Sequence, residues 1–375
     1  MGSNGVLLTG STGFVGMQVL ARWLEGSRRP VHALIRAPDQ ERADERLREV
    51  LETVLGDAER WAGRVTAVPG DLERDGLGMS RARREQLASQ VGTIVHCAAS
   101  VSFSLGLEDS RRINVGGTRR MLELAAACPD LERFTYVSTA YVAGDHDGLF
   151  GEADFDVDQD FRNHYERSKY EAEALVRAER WRLPTQILRP SIVVGERETG
   201  WTNAFNVLYT PLKAFSRGSY RVVPADLTAP VDVVPVDYVA DAVYELSAHG
   251  GHGTYHLVAG GRATTVGRLA EMASTRFDQP IPRATHPALY RRVLHPLLKR
   301  LARGRARRAL ESTEVFFPYF AMKVRYGDRK TRDRLEPAGV EVPHIESYFG
   351  KLLDFAELAA WGRRALPRPA AAADS

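Results

Sequence analysis

The chain has 375 residues, 44% hydrophobic and 26% charged, with 51 Lys and Arg against 48 Asp and Glu. That is enough apolar material for a sizeable core, which excludes disorder as the main state, and the net charge of +3 does not by itself demand an acidic partner. No run approaches the roughly 20 consecutive apolar residues of a membrane-spanning helix, and with Cys97 and Cys128 as its only cysteines the chain holds neither a disulfide framework nor a multi-cysteine zinc site, so no metal is expected.

A strand-like run that starts by Asn4 leaves no room for a signal peptide, so a cytoplasmic location is expected. From Gly5 to Thr9 the sequence reads as a strand, and Phe14 to Leu24 has helical spacing through Val15, Val19, Leu20 and Trp23. The pattern then repeats. Val31 to Ile35 precedes a charged helix over Gln40 to Leu55; Val65 to Val68 and Thr93 to His96 follow; a helix spans Arg112 to Ala127, and Phe134 to Ser138 is the next strand. A helix over Tyr165 to Trp181 and strands at Gln186 to Leu188 and Val231 to Pro235 extend the same sheet. Alternating β and α units predict an α/β fold, a doubly wound parallel sheet covered on both faces. After about Ser274 this rhythm fades into a basic, helix-rich stretch. The expected organisation is a dinucleotide-binding Rossmann domain over 1–274 with a substrate lid at about 196–230, a smaller, mainly helical region over 275–365, and a flexible tail over 366–375.

Between the first strand and first helix lies Gly10-Ser11-Thr12-Gly13-Phe14-Val15-Gly16. Gly10 permits a tight turn, Gly13 lets backbone approach a pyrophosphate, Gly16 lets helix pack on strand, and the helix N-terminus offers free N–H groups to the anion. The end of the second strand selects the dinucleotide: an acidic residue there would bind a ribose 2′-hydroxyl, whereas Arg36 suits a 2′-phosphate, with Arg46 in reach from the next helix. NADP(H) is therefore the expected cofactor. The alternative is that Arg36 and Arg46 are solvated charges, with Asp39 beside them. Asp71, followed by Leu72, is placed to meet the adenine or else is a solvated turn residue.

Further along, Tyr165 and Lys169 stand four residues apart and so share a helical face. An adjacent ammonium would favour the phenolate and make a phenol serviceable in proton transfer near neutral pH, while Lys169 also holds the nicotinamide ribose. Ser138-Thr139 ends a strand at the edge where doubly wound folds bind ligands, and Thr139 can hydrogen-bond a substrate carbonyl. Ser138 could compete for that carbonyl. His96 and His164 read as structural, and Cys97 as a buried small hydrophobe without a base beside it.

Taken together, Gly10 to Gly16, His96-Cys97-Ala98-Ala99, Asn114-Val115-Gly116-Gly117-Thr118, Ser138-Thr139, Tyr165 with Lys169, and Leu188-Arg189-Pro190-Ser191 resemble an extended short-chain dehydrogenase/reductase over residues 4 to about 260. Val101-Ser102-Phe103, Val137 to Val142, Gly200-Trp201 and Val233-Val234-Pro235-Val236-Asp237 are similar, more narrowly, to the branch with fatty acyl-CoA reductases and thioester reductase domains, the male sterility protein-like group. That resemblance implies Thr139, Tyr165 and Lys169 as the catalytic set, with Asn114 supporting, although a capping or bracing role for Asn114 is favoured. It places Ala98, Ala99, Pro190 and Ser191 against the cofactor. It implies an NADPH-dependent oxidoreductase that reduces an acyl thioester, on CoA or a carrier protein, to an aldehyde, with a further reduction to alcohol left open. The alternatives are a ketone, aldehyde or hydroxysteroid oxidoreductase of the same fold, which needs the same trio, and a non-catalytic NADP(H) sensor, which does not.

Within the lid, Trp201, Phe205, Leu208, Tyr209, Leu212, Phe215 and Tyr220 could line a channel for an apolar substrate or form the core of a small subdomain. From 291 to 308 stand eight basic residues and no acidic one, with Val293, Leu294, Leu297, Leu298 and Leu301 interleaved. That pattern suits peripheral attachment to an anionic membrane surface, an acidic carrier protein or CoA phosphates, or a solvated helix face over a core. No nucleic-acid motif accompanies it. Oligomeric state, a homo-oligomer included, is left open.

Overall fold

The computed structural model describes residues 5–369 apart from 206, 220, 221, 287–289, 291, 293–295, 297–299, 301–303 and 305–315. Tyr220, and the basic segment at 291–308 apart from Arg292, Pro296, Arg300 and Gly304, thus lie outside the described residues. Strand β1 (Gly5–Thr9) is buried along its whole length, the signature of a strand sandwiched between helical layers. There follow α1 (Phe14–Gly26), β2 (Val31–Ile35), α2 (Gln40–Leu55), β3 (Val65–Pro69), α3 (Arg81–Ala88) and β4 (Val91–His96). The series continues through α4 (Gly117–Ala127), β5 (Arg133–Val137), α5 (His164–Ala178), β6 (Thr185–Pro190), α6 (Tyr209–Ser216), α7 (Val236–His249) and β7 (Gly253–Leu257).

The seven strands form one parallel sheet in the order β7-β6-β5-β4-β1-β2-β3, a doubly wound Rossmann arrangement. Its chain order reverses between β1 and β4, the switch point at which such sheets bind ligands. Helices α1, α2 and α7 bury Val19, Leu20, Trp23 and Val243 on one face; α3, α4 and α5 bury Leu87, Met121 and Val176 on the other. A third apolar cluster, around Tyr209, Leu212, Tyr319 and Leu353, sits beyond the C-terminal ends of the strands.

Two expectations are corrected. Val231–Pro235 does not extend the main sheet: Pro230–Val231 pairs with Thr264–Thr265, and Val233–Pro235 runs beside Ile192–Val194 in a separate ribbon, while β7 completes the sheet. Proline has no N–H to give to a central ladder, and Pro230 and Pro235 bound this segment. The helix expected over Arg112 to Ala127 instead starts earlier, with an α-helical turn at Leu107–Ser110, and widens into a π-type stretch over Arg111–Gly116 before regular α-helix resumes at Gly117.

Toward the C-terminus α8 (Val266–Phe277) is followed by Arg283–Thr285, which pairs with Val222–Pro224, a 3₁₀ turn at Phe317–Ala321, and Val324–Tyr326, which pairs with Gly148–Phe150. That last pairing carries residues 316–326 to the C-terminal edge of the sheet, beside the N-terminus of α5. Among the described residues no helix is long and apolar enough to cross a membrane, and no cluster of His, Cys, Asp and Glu could hold a metal.

Candidate active site

The glycine turn is built by exclusion of side chains. Gly10 has φ +77°, and a Cβ there would lie 2.7 Å from the Ala98 nitrogen; a Cβ on Gly16 would lie 2.0 Å from the Gly10 oxygen. Ser11 Oγ is buried in this turn with no hydrogen-bond partner, and Gly13 is exposed at the start of α1. An orphaned buried hydroxyl and a bare helix N-terminus at the switch point fit a dinucleotide pyrophosphate. Thr9 Oγ1 accepts from Ala98 N at 3.2 Å and pairs with His96 Nδ1 at 2.7 Å, which ties the end of β1 to the strand-end loop of β4. Burial holds His96 neutral, its pKa lowered to about 3, so it braces the site and carries no charge there.

At the end of β2, Arg46 donates to the Arg36 carbonyl and, at 3.4 Å, to Thr12 Oγ1, bridging strand end and glycine turn. The Arg36 side chain is 74% exposed and pairs with Glu73 at 3.3 Å; Glu73 also pairs with Arg112 at 3.2 Å. Asp71 closes its own turn by accepting from Glu73 N at 2.9 Å. Glu73 is absent from the sequence-based set, because an acid two residues past a strand-end turn carries no motif signal.

Asn163 caps α5, its side chain accepting from Glu166 N at 3.0 Å, so that Tyr165 and Lys169 rise from the first turns on one face. The Tyr165 hydroxyl pairs with that of Thr139, which lowers its pKa, but burial outweighs this and pushes the phenol up to about 12. Lys169 Nζ donates to the Val137 carbonyl at 2.9 Å, lies 4.3 Å over the Tyr136 ring, and is lowered to about 7 by burial. Desolvation penalises both charged forms and favours neutral phenol. Ser138 Oγ donates to Glu173 at 2.7 Å and so is turned away from Thr139.

Behind these residues lies a buried ion network that sequence reasoning missed. Glu173 receives Arg189 through Nη2 at 2.7 Å and Arg177 at 2.8 Å, and Arg189 also meets His256 Nε2 at 3.0 Å. These cations hold Glu173 below its usual pKa against the opposing effect of burial. The available signal was Glu173 one helical turn after Lys169. Asn114 braces: its amide joins Ser100 N (2.8 Å), Ser100 O (3.1 Å) and Ser168 Oγ (2.9 Å), pinning the loop after β4 to α5. Pro190 O accepts from Thr139 Oγ1 at 3.4 Å, and Ser191 is buried beside it. Cys97 is half-buried rather than buried as expected, and desolvation raises its thiol to about 12, which disfavours the thiolate.

Next to this trio opens an apolar cavity of about 1100 Å³, its open mouth included. Leu208, Leu212 and Phe215 of the lid line it, together with Leu269, Tyr141 and Tyr319. Trp201, Phe205 and Tyr209 do not: Trp201 is buried against Phe14 (6.0 Å), Phe205 is half-buried and stacked on Phe355 (6.3 Å), and Tyr209 is buried, so the lid's aromatic set divides between cavity wall and core. Phe103 joins cavity to chemistry, with its ring 5.6 Å from that of Tyr165 and stacked at 5.7 Å on that of Tyr319.

A family model described as male sterility protein matches residues 8–243. Fatty acyl-CoA reductase 1 of Mus musculus is 31% identical over 271 residues, which are 63% of this chain and 53% of that protein. The isonitrile lipopeptide synthase of Streptomyces coeruleorubidus is 36% identical over 250 residues, 64% of this chain and 16% of that one. The chain spans about half the length of the fatty acyl-CoA reductases it matches. Among solved structures, the terminal R domain of the myxalamid PKS-NRPS pathway superposes with a TM-score of 0.81 at 26% identity, covering 97% of this chain and 92% of that chain. A nonribosomal peptide synthetase R domain from Mycobacterium tuberculosis shares the fold, with a TM-score of 0.74 at 21% identity and coverage of 96% and 92%.

Proposed function

The chain belongs to the male sterility protein family of NAD(P)-binding proteins, and from that premise we propose that it reduces a fatty or related acyl thioester, borne on CoA or a carrier protein, at the expense of NADPH. The observation that carries this reading is the juxtaposition of Thr139, Tyr165 and Lys169 with the apolar cavity, one aromatic ring apart through Phe103. The names of the relatives, fatty acyl-CoA reductase and reductase domains of peptide synthetases, support it.

When bound, the reduced nicotinamide supplies hydride to the thioester carbonyl carbon. Thr139 and Tyr165 hydrogen-bond the carbonyl oxygen, where negative charge develops, and Tyr165 delivers its proton to that oxygen. Its raised pKa suits this direction, since the phenol enters the reaction protonated. The resulting hemithioacetal breaks its C–S bond: the hydroxyl proton passes to the leaving sulfur, and aldehyde and thiol separate. No covalent bond to the protein is needed. Lys169 would hold the nicotinamide ribose and support the phenolate left on Tyr165, which takes a proton back from solvent before the next reduction. Repetition on the aldehyde gives an alcohol by the same residues. On the cofactor side, Gly10, Thr12, Gly13, Phe14, Val15 and Gly16 hold the pyrophosphate, Arg36 and Arg46 the 2′-phosphate, Asp71 and Leu72 the adenine, and Ala98, Ala99, Pro190 and Ser191 the nicotinamide half.

The test is anaerobic incubation with NADPH and palmitoyl-CoA, following absorbance at 340 nm and free thiol together. Thiol release with NADPH loss is expected, and the ratio of the two separates aldehyde from alcohol. Turnover of hexadecanal or a bulky ketone with no thiol released would replace this reading by a carbonyl reductase.

A further inference from the structure

We infer that Tyr319 is a positioning residue, through which an acyl chain in the cavity sets the catalytic helix; this rests on the proposed function. Tyr319 belongs to the 3₁₀ turn Phe317–Ala321, 153 residues beyond Glu166 in sequence, and its ring is part of the cavity wall. Its hydroxyl donates to Glu166 Oε1 at 2.6 Å and accepts from Asn163 Nδ2 at 2.6 Å. Asn163 is the cap of α5, and Glu166 is the residue whose N–H that cap receives, directly after Tyr165. Cap, carboxylate and phenol thus close a ring of hydrogen bonds around the first turn of the helix that carries the catalytic hydroxyl.

The ring of Tyr319 makes a second connection. It stacks on Phe103, which leans on Tyr165, and meets Tyr141 edge-on at 5.3 Å. Tyr141 follows Thr139 by two residues, and its N–H donates to Thr139 Oγ1 at 3.3 Å. One side chain in the cavity wall therefore touches neighbours of both hydroxyls that hold the substrate carbonyl.

Glu166 is fully buried and its remaining polar contacts are local, from Arg162 N at 2.9 Å and the Arg162 guanidinium at 3.6 Å. Burial raises its pKa, and the Tyr319 hydrogen bond is what the C-terminal part of the chain contributes to satisfying it. A carboxylate so placed would be left underpaired if residues 316–322 withdrew. Phe316, Tyr319, Phe320 and Met322 all line the cavity, so an acyl chain packed against them holds that stretch in the position that completes the cap. Binding energy from the remote chain is in this way realised at the reacting centre, in kcat as well as in KM.

The experiment compares butyryl-, octanoyl- and hexadecanoyl-CoA with wild type and Tyr319→Phe, resolving kcat from KM and measuring NADPH affinity separately. The wild type is expected to raise kcat by about tenfold or more from the shortest to the longest chain, since truncated substrates lose kcat when remote binding energy is used for positioning. Tyr319→Phe, which keeps the ring and removes the hydroxyl, should flatten that dependence and leave NADPH affinity in place. A variant that loses kcat by the same factor at every length, or a wild type whose kcat is independent of length, overturns the proposal. Should Tyr319→Phe fail to fold, Phe103→Leu interrupts the stack on the other route and carries the same expectation. If no thioester is reduced, the same series run with butanal, octanal and hexadecanal reads Tyr319 on the carbonyl step alone, so that failure of the thioester reading and failure of this inference remain distinguishable.

Discussion

The dinucleotide cradle and the apolar cavity of this molecule are made in opposite ways. The cradle at the end of β1 is one contiguous turn in which the absence of side chains is the chemistry: a Cβ on Gly10 or Gly16 would collide with backbone at 2.7 or 2.0 Å. The apolar cavity is the reverse, a space left between side chains from Tyr141, Ile192, α6, α8 and residues 316–326, which meet only in the folded chain. A site made of backbone is specified locally and tolerates little; a site made of apolar side chains is specified by tertiary packing and can be resized one residue at a time. Tyr165 stands at the seam. Replacing it by Phe removes the proton donor and neither side's binding surface, so kcat should fall by roughly 10²–10⁴ while NADPH binding, followed by fluorescence titration, persists. Loss of NADPH binding would show that the two sides are not separable there.

Lys169 sharpens the comparison through pH. Unfolded, its amine keeps a proton to about 10.5; folded, burial brings release down to about 7. Between those values the unfolded chain binds the extra proton, so the destabilisation this amine causes is full below about pH 7 and is relieved as pH rises from about 7 to 10.5. Lys169→Met should therefore abolish reduction and yet stabilise the protein without cofactor, by on the order of a few kcal/mol below neutral pH, with the difference closing toward pH 10. Thermal melts of both proteins between pH 6 and 10 check this. A pH-independent difference would mean that Lys169 is not desolvated as the geometry shows.

On the acyl side, Leu212→Trp should fill part of the cavity. A loss of roughly tenfold in kcat/KM for hexadecanoyl-CoA, with a smaller loss for butyryl-CoA, is the size expected for a few misplaced methylenes. Equal losses at both lengths would place the chain elsewhere.

What could be read without coordinates follows the same division. The alternation of strands and helices, the glycine turn, Tyr165 with Lys169 and the strand-end Thr139 are short-range patterns, legible because their spacing is their geometry. The fate of Val231–Pro235 was not legible, because strand propensity says nothing about which ladder a segment joins and the prolines at its ends exclude only the central one. Nor was the electrostatic environment of Tyr165 and Lys169. Spacing placed Lys169 near Tyr165, but the desolvation that raises the phenol and lowers the amine depends on β5, β6 and the loop after β4. Leu212 and Trp201 look alike in sequence; one faces the cavity and the other the core. Tyr319 meets Glu166 across 153 residues, beyond any local motif, and Glu173 shows its helical spacing but not its pairing with Arg189 on the next strand.

Glu73 offers the smallest and most specific way to break the comparison on the cofactor side. Its carboxylate is paired with Arg36 and Arg112, at 3.3 and 3.2 Å, where a 2′-phosphate would seek the Arg36 guanidinium. The protein's own anion and the cofactor's thus compete for the same exposed cation. Such pairs contribute little in water, so the competition is weak, and relieving it with Glu73→Gln should improve the NADPH to NADH ratio in kcat/KM by only a few-fold. Arg46→Ala should move the ratio the other way, and further, because it withdraws the guanidinium that joins the end of β2 to Thr12 in the glycine turn. If Glu73→Gln instead favours NADH, the carboxylate is orienting Arg36 toward the phosphate, and the side of the molecule that looked wholly written in backbone would owe its cofactor choice to one acidic side chain.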